Sequence, residues 1–164
     1  MLTLTLLPMN TGNFEEAKCM MKRSFADSID DLPEHFGEYH GHDVIPSIDG
    51  VLEDVQVTPL VFYQEGKMVG GAVVKLKEDN NNELDLLFVD LDHLDNGIGY
   101  RAWLEIEKRY PQTKTWTTVT PPCLMRNVHF YVNKCGFHII RIDDPKTDDI
   151  MFVFQKVMNN YIGL

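Results

Sequence analysis

Residues 83–110, ELDLLFVDLDHLDNGIGYRAWLEIEKRY, constrain the fold more than any other stretch of the chain. Leu84, Leu86, Phe88 and Val89 are bulky apolar residues in one short run, the pattern of a buried strand. An acidic turn follows, and then Asn96-Gly97-Ile98-Gly99. A helix starts at once, with Ala102, Trp103, Ile106 and Tyr110 at i, i+1, i+4 and i+8, and Pro111 stops it. A strand that passes through a glycine loop into a helix N-terminus makes a place for an anion. Loop N–H groups point outward there, and the helix dipole favours negative charge.

Two known phosphate loops do not fit. A P-loop requires Gly-Lys-Ser/Thr, which the chain lacks, and a dinucleotide fingerprint requires three glycines where only Gly97 and Gly99 stand. The stretch instead resembles the acetyl-CoA arm of the GNAT N-acetyltransferases, Gln/Arg-x-x-Gly-x-Gly/Ala after a strand ending in a hydrophobic-Val pair. Phe88-Val89 stands in register with Gly97-Ile98-Gly99. Two positions depart from the pattern: Leu94 occupies the Gln/Arg site, and Asn96 the usual basic site before the first glycine. Asp90, Asp92 and Asp95 are expected to weaken diphosphate binding by repulsion, while main-chain donors remain indifferent to side-chain identity.

Residues 115–137, TWTTVTPPCLMRNVHFYVNKCGF, resemble the later half of the same fold, a strand leading into a helix that carries Asn, an aromatic-Tyr pair and a closing Gly-Phe. Asn127 and Tyr131 are i and i+4 and share a helix face, with Lys134 a turn further on. Gly136 suits the left-handed residue that ends a helix.

The resemblance implies one GNAT domain over 1–164, an α+β (mixed α/β) fold with a central, mostly antiparallel twisted sheet of about six or seven strands flanked by helices. It implies an acetyl-CoA-dependent N-acetyltransferase, moving acetyl to a primary amine of a small molecule, peptide or protein by direct transfer in a ternary complex. Acetyl-CoA would be cosubstrate, with no metal. It would be held by Phe88, Val89, Leu94, Asp95, Asn96, Gly97, Ile98, Gly99, Tyr100, Asn127, Phe130 and Lys134. A backbone N–H of Phe88 or Val89 would meet the thioester oxygen, and Tyr131 matches the general acid toward the thiolate. Otherwise Tyr131 is a half-buried tyrosine packing beside Phe130. Asp85 and Glu83, two apart on one strand face, are the candidate bases. Asp85 ranks first, because a carboxylate inside an apolar run is costly without a role. His93 and His129 are other titratable options, though they read first as surface residues of a loop and a helix. A non-catalytic acyl-CoA-binding regulatory module is the alternative function, and a nucleotide-binding α/β protein a third.

At 164 residues the chain has the length of one domain, and 44% hydrophobic with 24% charged residues is ordinary globular composition. A net charge of −10 argues against nucleic acid or an anionic membrane and suits an amine-bearing partner. No apolar run approaches the roughly 20 residues that span a bilayer. The start, MLTLTLLPMN, lacks a basic n-region, and Cys19, Cys123 and Cys135 have no C-x-x-C spacing. A cytoplasmic, bacterial-type enzyme with reduced thiols is expected, and the resembled family suggests a homodimer.

The remaining segments predict a strand over 2–6 ended by Pro8, then a helix from an Asn13 cap through Ser24, with Met21 and Phe25 as substrate-wall candidates. Strands over 59–63 and 68–77 make a hairpin, with Gly70-Gly71 suggesting a bulge or close approach. Residues 80–82, NNN, read as a turn. Strands follow over 114–120, 138–143 and 150–157, giving the order β-α-β-β-β-α-β-α-β-β. The irregular 27–54 stretch holds His35, His40, His42 and Asp43, a weak metal pattern without a second pair, and Glu38 and Tyr39, which could attract and stack on an acceptor amine.

Overall fold

The computed structural model of the chain describes residues 2–30, 45–94 and 96–159. Along it run β1 (Leu4–Pro8), α1 (Phe14–Asp30), β2 (Thr58–Gln64), β3 (Lys67–Lys75), β4 (Asn81–Val89), α2 (Ile98–Arg109), β5 (Thr115–Thr120), α3 (Met125–His129), β6 (His138–Asp143) and β7 (Met151–Val157). A 3-10 turn, Leu91–His93, precedes α2, and a π-helical turn, Phe130–Lys134, extends α3. The order is the one the sequence predicts. The strands form one seven-stranded sheet, β1-β2-β3-β4-β5-β7-β6, antiparallel except where β4 meets β5.

Local chemistry explains the connections. Glu65 and Gly66 both take positive φ (52° and 76°), the geometry of a two-residue hairpin turn whose twist matches its strands. Gly70 and Gly71 allow β2, β3 and β4 to approach closely. A Cβ at Gly70 would stand 2.3 Å from the Phe88 carbonyl oxygen, and one at Gly71 would stand 2.6 Å from the Phe88 ring. Asparagines 80–82 are only partly a turn. Asn80 turns at φ 62°, but Asn81 and Asn82 already belong to β4. Asn82 is buried, accepts from the Lys77 N–H at 2.9 Å and donates to Thr113 Oγ1 at 2.8 Å, which locks the start of β4 against the strand that follows α2.

The helices depart from expectation in two ways. α1 continues six residues past Ser24, carrying Phe25 and Ser28 towards β4. Asn13 does not cap it in the expected sense: its Oδ1 accepts from the Asn10 N–H at 2.8 Å, so it closes the preceding turn.

Each face of the sheet has its own core. On one side α2 and the α3 region cover Trp103, Trp116, Phe137, Phe154, Tyr131 and Leu84, with Trp103 and Trp116 edge to face at 5.3 Å. On the other, α1 covers Met20, Met21, Val61, Val73, Leu86 and Phe88. Met21 is fully enclosed, so it is a core residue and not a substrate wall. Full burial of such side chains contributes about 1.5–3 kcal/mol each.

Leu84 and Leu86 lie in opposite cores although they are two apart on one strand. The cause is a β-bulge: Val74 faces Leu84 and Val73 faces Leu86, leaving Asp85 as the extra residue. Strict alternation therefore fails at this carboxylate. Asp85 is exposed, not buried within an apolar run as the alternation implies.

Candidate active site

β4 and β5 pair only at Asn81–Thr115, Asn82–Trp116 and Glu83–Thr117. One further link, Thr118 Oγ1 donating to the Leu84 carbonyl at 2.8 Å, closes the shared stretch. Beyond it β4 keeps β3 on one side and has no ladder to β5 on the other. A cavity of about 410 Å³ opens there, a size suited to a small-molecule ligand. Its lining draws on both cores, Phe25 and Phe88 from the α1 side and Leu87, Val89, Ile98, Phe130 and Tyr131 from the α2 side. The cavity thus passes through the plane of the sheet at the split.

Main-chain donors converge on this cavity. The Asp90 N–H donates to the Val69 carbonyl at 2.9 Å, and Val89 faces Gly70. Alternation along an antiparallel ladder then points the Phe88 N–H at β3 and those of Leu87 and Val89 into the split. At the other wall Gly97, at φ 73°, turns the chain into α2. The first intrahelical bond there is Arg101 N–H to the Gly97 carbonyl at 3.1 Å, so the N–H groups of Ile98, Gly99 and Tyr100 lack helical acceptors. A Cβ at Gly99 would reach the Phe130 ring at 3.4 Å, an ordinary contact.

The electrostatics reverse the expected repulsion. Asp90 is buried and is not among the cavity's lining residues, with Oδ2 3.1 Å from His93 Nδ1 and Oδ1 3.8 Å from Arg23 of α1. Arg23 also reaches Asp92 at 4.0 Å, while Asp95 lies outside the described residues. Among the described lining residues there is no carboxylate, yet His93, Arg126, His129 and Lys134 all border the cavity. The lining itself thus carries basic groups on a chain of net charge −10, although Arg126 is paired with Asp27 of α1 at 3.6 Å. His93 is not the loop surface residue it reads as, since its side chain is 31% exposed and helps line the cavity. His129 is exposed, with Nδ1 2.6 Å from Asn133 Nδ2.

Of the expected ligand-holding residues, Phe88, Val89, Leu94, Gly97, Ile98, Gly99, Tyr100, Asn127, Phe130 and Lys134 line the cavity, and Phe25 does so from α1. Asn96 is exposed and does not. Ser24, Ser28 and Arg126 also border it and were not anticipated; only the adjacency of Arg126 to Asn127 hinted at its place. Glu38, Tyr39 and the His35, His40, His42 and Asp43 cluster lie outside the described residues. Among the described residues no cluster of metal ligands forms.

The catalytic candidates are not brought together in one cavity. Tyr131 lines the split cavity but is 6% exposed, ringed by Phe130, Phe137 and Phe154 at 5.4–5.8 Å. It sits in the π-helical turn closed by Cys135 N–H to the Phe130 carbonyl at 3.0 Å, a device common at functional sites. Burial, and then Cys135, push its hydroxyl well above the usual phenol range. Thr118 stands within hydrogen-bonding reach of the hydroxyl and partly offsets that rise. Thr118 Oγ1 itself donates to the Leu84 carbonyl at 2.8 Å. Asp85 lines a second recess of about 240 Å³ with Ile48, Asp49, Val51 and Asp54. Desolvation there, and then Glu83, raise its pKa above 3.8. Glu83 itself is tied to Lys77 at 2.6 Å.

The sequence profile of the acetyltransferase (GNAT) family matches residues 22–137, which contain the glycine loop, the split strands and the Asn127–Tyr131 helix. The chain belongs to that family. It is 43% identical over 136 residues to an uncharacterised Bacillus subtilis (strain 168) protein, YrkN, covering 70% of this chain and 74% of that one. Its fold is similar to that of a Thermoplasma acidophilum PaiA N-acetyltransferase in complex with coenzyme A. The TM-score is 0.70 at 16% identity, over 95% of this chain and 99% of the other. The Escherichia coli ribosomal-protein-S18-alanine N-acetyltransferase is similar at TM-score 0.70 and 15% identity, over 94% of each chain. These are likenesses of fold.

Proposed function

We propose that the chain is an acetyl-CoA-dependent N-acetyltransferase that transfers acetyl directly to a primary amine within a ternary complex. The observation that carries this reading is the cavity through the β4–β5 split, free of carboxylates among its described lining and bordered by the first-turn N–H groups of α2, which have no helical acceptor. That wall suits a diphosphate, and the half-buried Leu87, Val89 and Phe130 suit the apolar arm of an acyl-CoA. Bound there, the cosubstrate supplies an activated acyl group as its thioester.

The chain's own residues do the rest. The N–H groups of Leu87 and Val89 face the split and can receive the oxyanion that develops as the amine adds. Of the two donors considered from sequence, Val89 is the one the ladder leaves free. Tyr131 keeps its proton at any working pH, and full transfer to a thiolate of ordinary basicity would run uphill. Its role is to donate a hydrogen bond to the departing sulfur, turning from Thr118 to do so. Asp85, on the bulge two residues before Leu87, is the base that receives the ammonium proton, directly or through water, from an acceptor entering on the α1 face. Glu83 supports it by raising its pKa.

The engagement of Tyr131 with Thr118 also favours a second reading, a non-catalytic acyl-CoA-binding regulatory module. We also infer that the protein works in the cytoplasm, with Cys19, Cys123 and Cys135 as free thiols, and that it pairs with a second copy. No described helix is long and apolar enough to cross a membrane.

The test is thermal shift with acetyl-CoA, CoA, ATP and NAD at one excess, followed by thiol release with a panel of amines. Binding at about 100 times Kd adds roughly 2.7 kcal/mol to the folded state. Stabilisation by the two CoA species with amine-dependent thiol release supports the enzyme. The same stabilisation without thiol release supports the binding module, and no CoA response overturns both.

A further inference from the structure

The glycine loop from Leu91 to Tyr100 contains no Lys or Arg, and His93 is its sole candidate cation. The ring is held in place. Its Nδ1 lies 3.1 Å from the carboxylate of buried Asp90, which is itself steadied by Arg23 reaching across from α1 at 3.8 Å. The same imidazole borders the cavity, beside Leu94, Gly97 and the first turn of α2. A carboxylate partner at Nδ1 keeps the ring proton there, leaving Nε2 as the nitrogen available to a ligand. In the neutral ring that nitrogen is only an acceptor and would face a phosphate lone pair to lone pair. After protonation it is a donor carrying positive charge.

We propose that His93 is the diphosphate-binding side chain of this loop, and that it binds only as the imidazolium, so that binding of the nucleotide end of acyl-CoA takes up a proton. This rests on the acyl-CoA reading above and deepens it. The charged groups about the ring are Asp90 and Asp92 on its own turn and Arg23 of α1, which reaches both carboxylates. Arg126, His129 and Lys134 border the same cavity from the α3 region. Lys134 adds attraction for phosphate, and Arg126 does so while paired with Asp27 of α1 at 3.6 Å. The device replaces a permanently charged loop residue with a switchable one, so CoA affinity becomes a function of pH where most such loops would be indifferent.

The probe is dephospho-CoA, whose diphosphate does not titrate near neutrality, so any proton change belongs to the protein. Calorimetric titrations are run from about pH 6 to about pH 8 in two buffers of different ionisation enthalpy. Pantetheine, which lacks the diphosphate, serves as the comparison ligand. The wild type is expected to lose about tenfold in affinity across that range, with uptake of up to one proton at the upper end. Pantetheine binding should stay flat. His93→Gln should bind dephospho-CoA weakly at every pH with no proton uptake, while His138→Gln, exposed on β6 away from the cavity, keeps the wild-type slope. A flat wild-type profile, or a slope that survives in His93→Gln or vanishes in His138→Gln, overturns the proposal. Failure of dephospho-CoA and acetyl-CoA to bind at any pH overturns the acyl-CoA reading itself, a distinct result.

Discussion

Tyr131 and Asp85 carry opposite burdens. Tyr131 is buried among aromatics and held above the ordinary phenol range, so it cannot give up its proton cheaply. Tyr131→Phe is expected to lower kcat by about 10²-fold, the low end for proton-handling groups, with KM for acetyl-CoA little changed. Thr118→Val, which frees the tyrosine hydroxyl, should leave kcat equal or higher; steady-state kinetics on both variants read this directly. Asp85 must be ionised to act as a base, and desolvation with Glu83 raises its pKa. The acid limb of kcat/KM should therefore fall above the ordinary 3.8, and activity should rise with pH through that limb. Asp85→Asn should abolish the limb and cost about 10²–10⁴-fold. Because the folded state disfavours the ionised form, whatever Asp85 contributes to stability is present below its unfolded pKa and lost as pH rises through the folded one. The same substitution should thus hold or raise Tm at neutral pH, which separates a catalytic loss from an unfolding one. Neither environment could be read from spacing. The bulge that exposes Asp85 is set by the pairing of β3 with β4, and Asp90 is neutralised by Arg23, 67 residues earlier in the chain.

Elements were more legible than their junctions. Alternation and punctuation located all seven strands because β1–β4 each present an apolar face to a core, and Pro111 and Gly136 end their segments for local steric reasons. The split between β4 and β5 left no trace in either strand's composition, since it arises from where a parallel ladder stops. The glycines divide in the same way. Gly70→Ala would drive a Cβ to 2.3 Å from the Phe88 carbonyl, against backbone that cannot swing aside. It should cost about 1–3 kcal/mol and lower Tm by roughly 3–10 °C. Gly99→Ala meets only ordinary contacts and should leave Tm nearly unchanged. A scanning-calorimetry comparison of the two tests whether close strand approach, rather than glycine content, holds β4 in place beside the cavity.

At the scale of the whole molecule the sheet is unevenly protected. β1 is tied down by α2, through Arg109 donating to the Leu6 carbonyl at 3.0 Å and Arg101 donating to the Leu2 carbonyl. The opposite edge, β6, has no such cover among the described residues, and Ile139, Ile140 and Ile142 are 44%, 49% and 47% exposed. A bare apolar edge strand is a template for another strand. The sequence His138-Ile-Ile-Arg-Ile-Asp143 is complementary to itself. In an antiparallel pairing about the point between Ile140 and Arg141, His138 meets Asp143 of the partner copy and Ile139 meets Ile142, twice over by symmetry. The net charge of −10 opposes association, so the strand must supply its attraction locally. Light scattering coupled to gel filtration should give twice the chain mass for the wild type and a single chain for Ile142→Lys, whose new cation replaces an apolar contact on both sides of the axis. Because β6 lies three strands from β4, the monomeric variant should still bind CoA. A wild-type monomer at tens of micromolar would remove the pairing and leave the active-site reading intact, since no residue of the cavity comes from that edge.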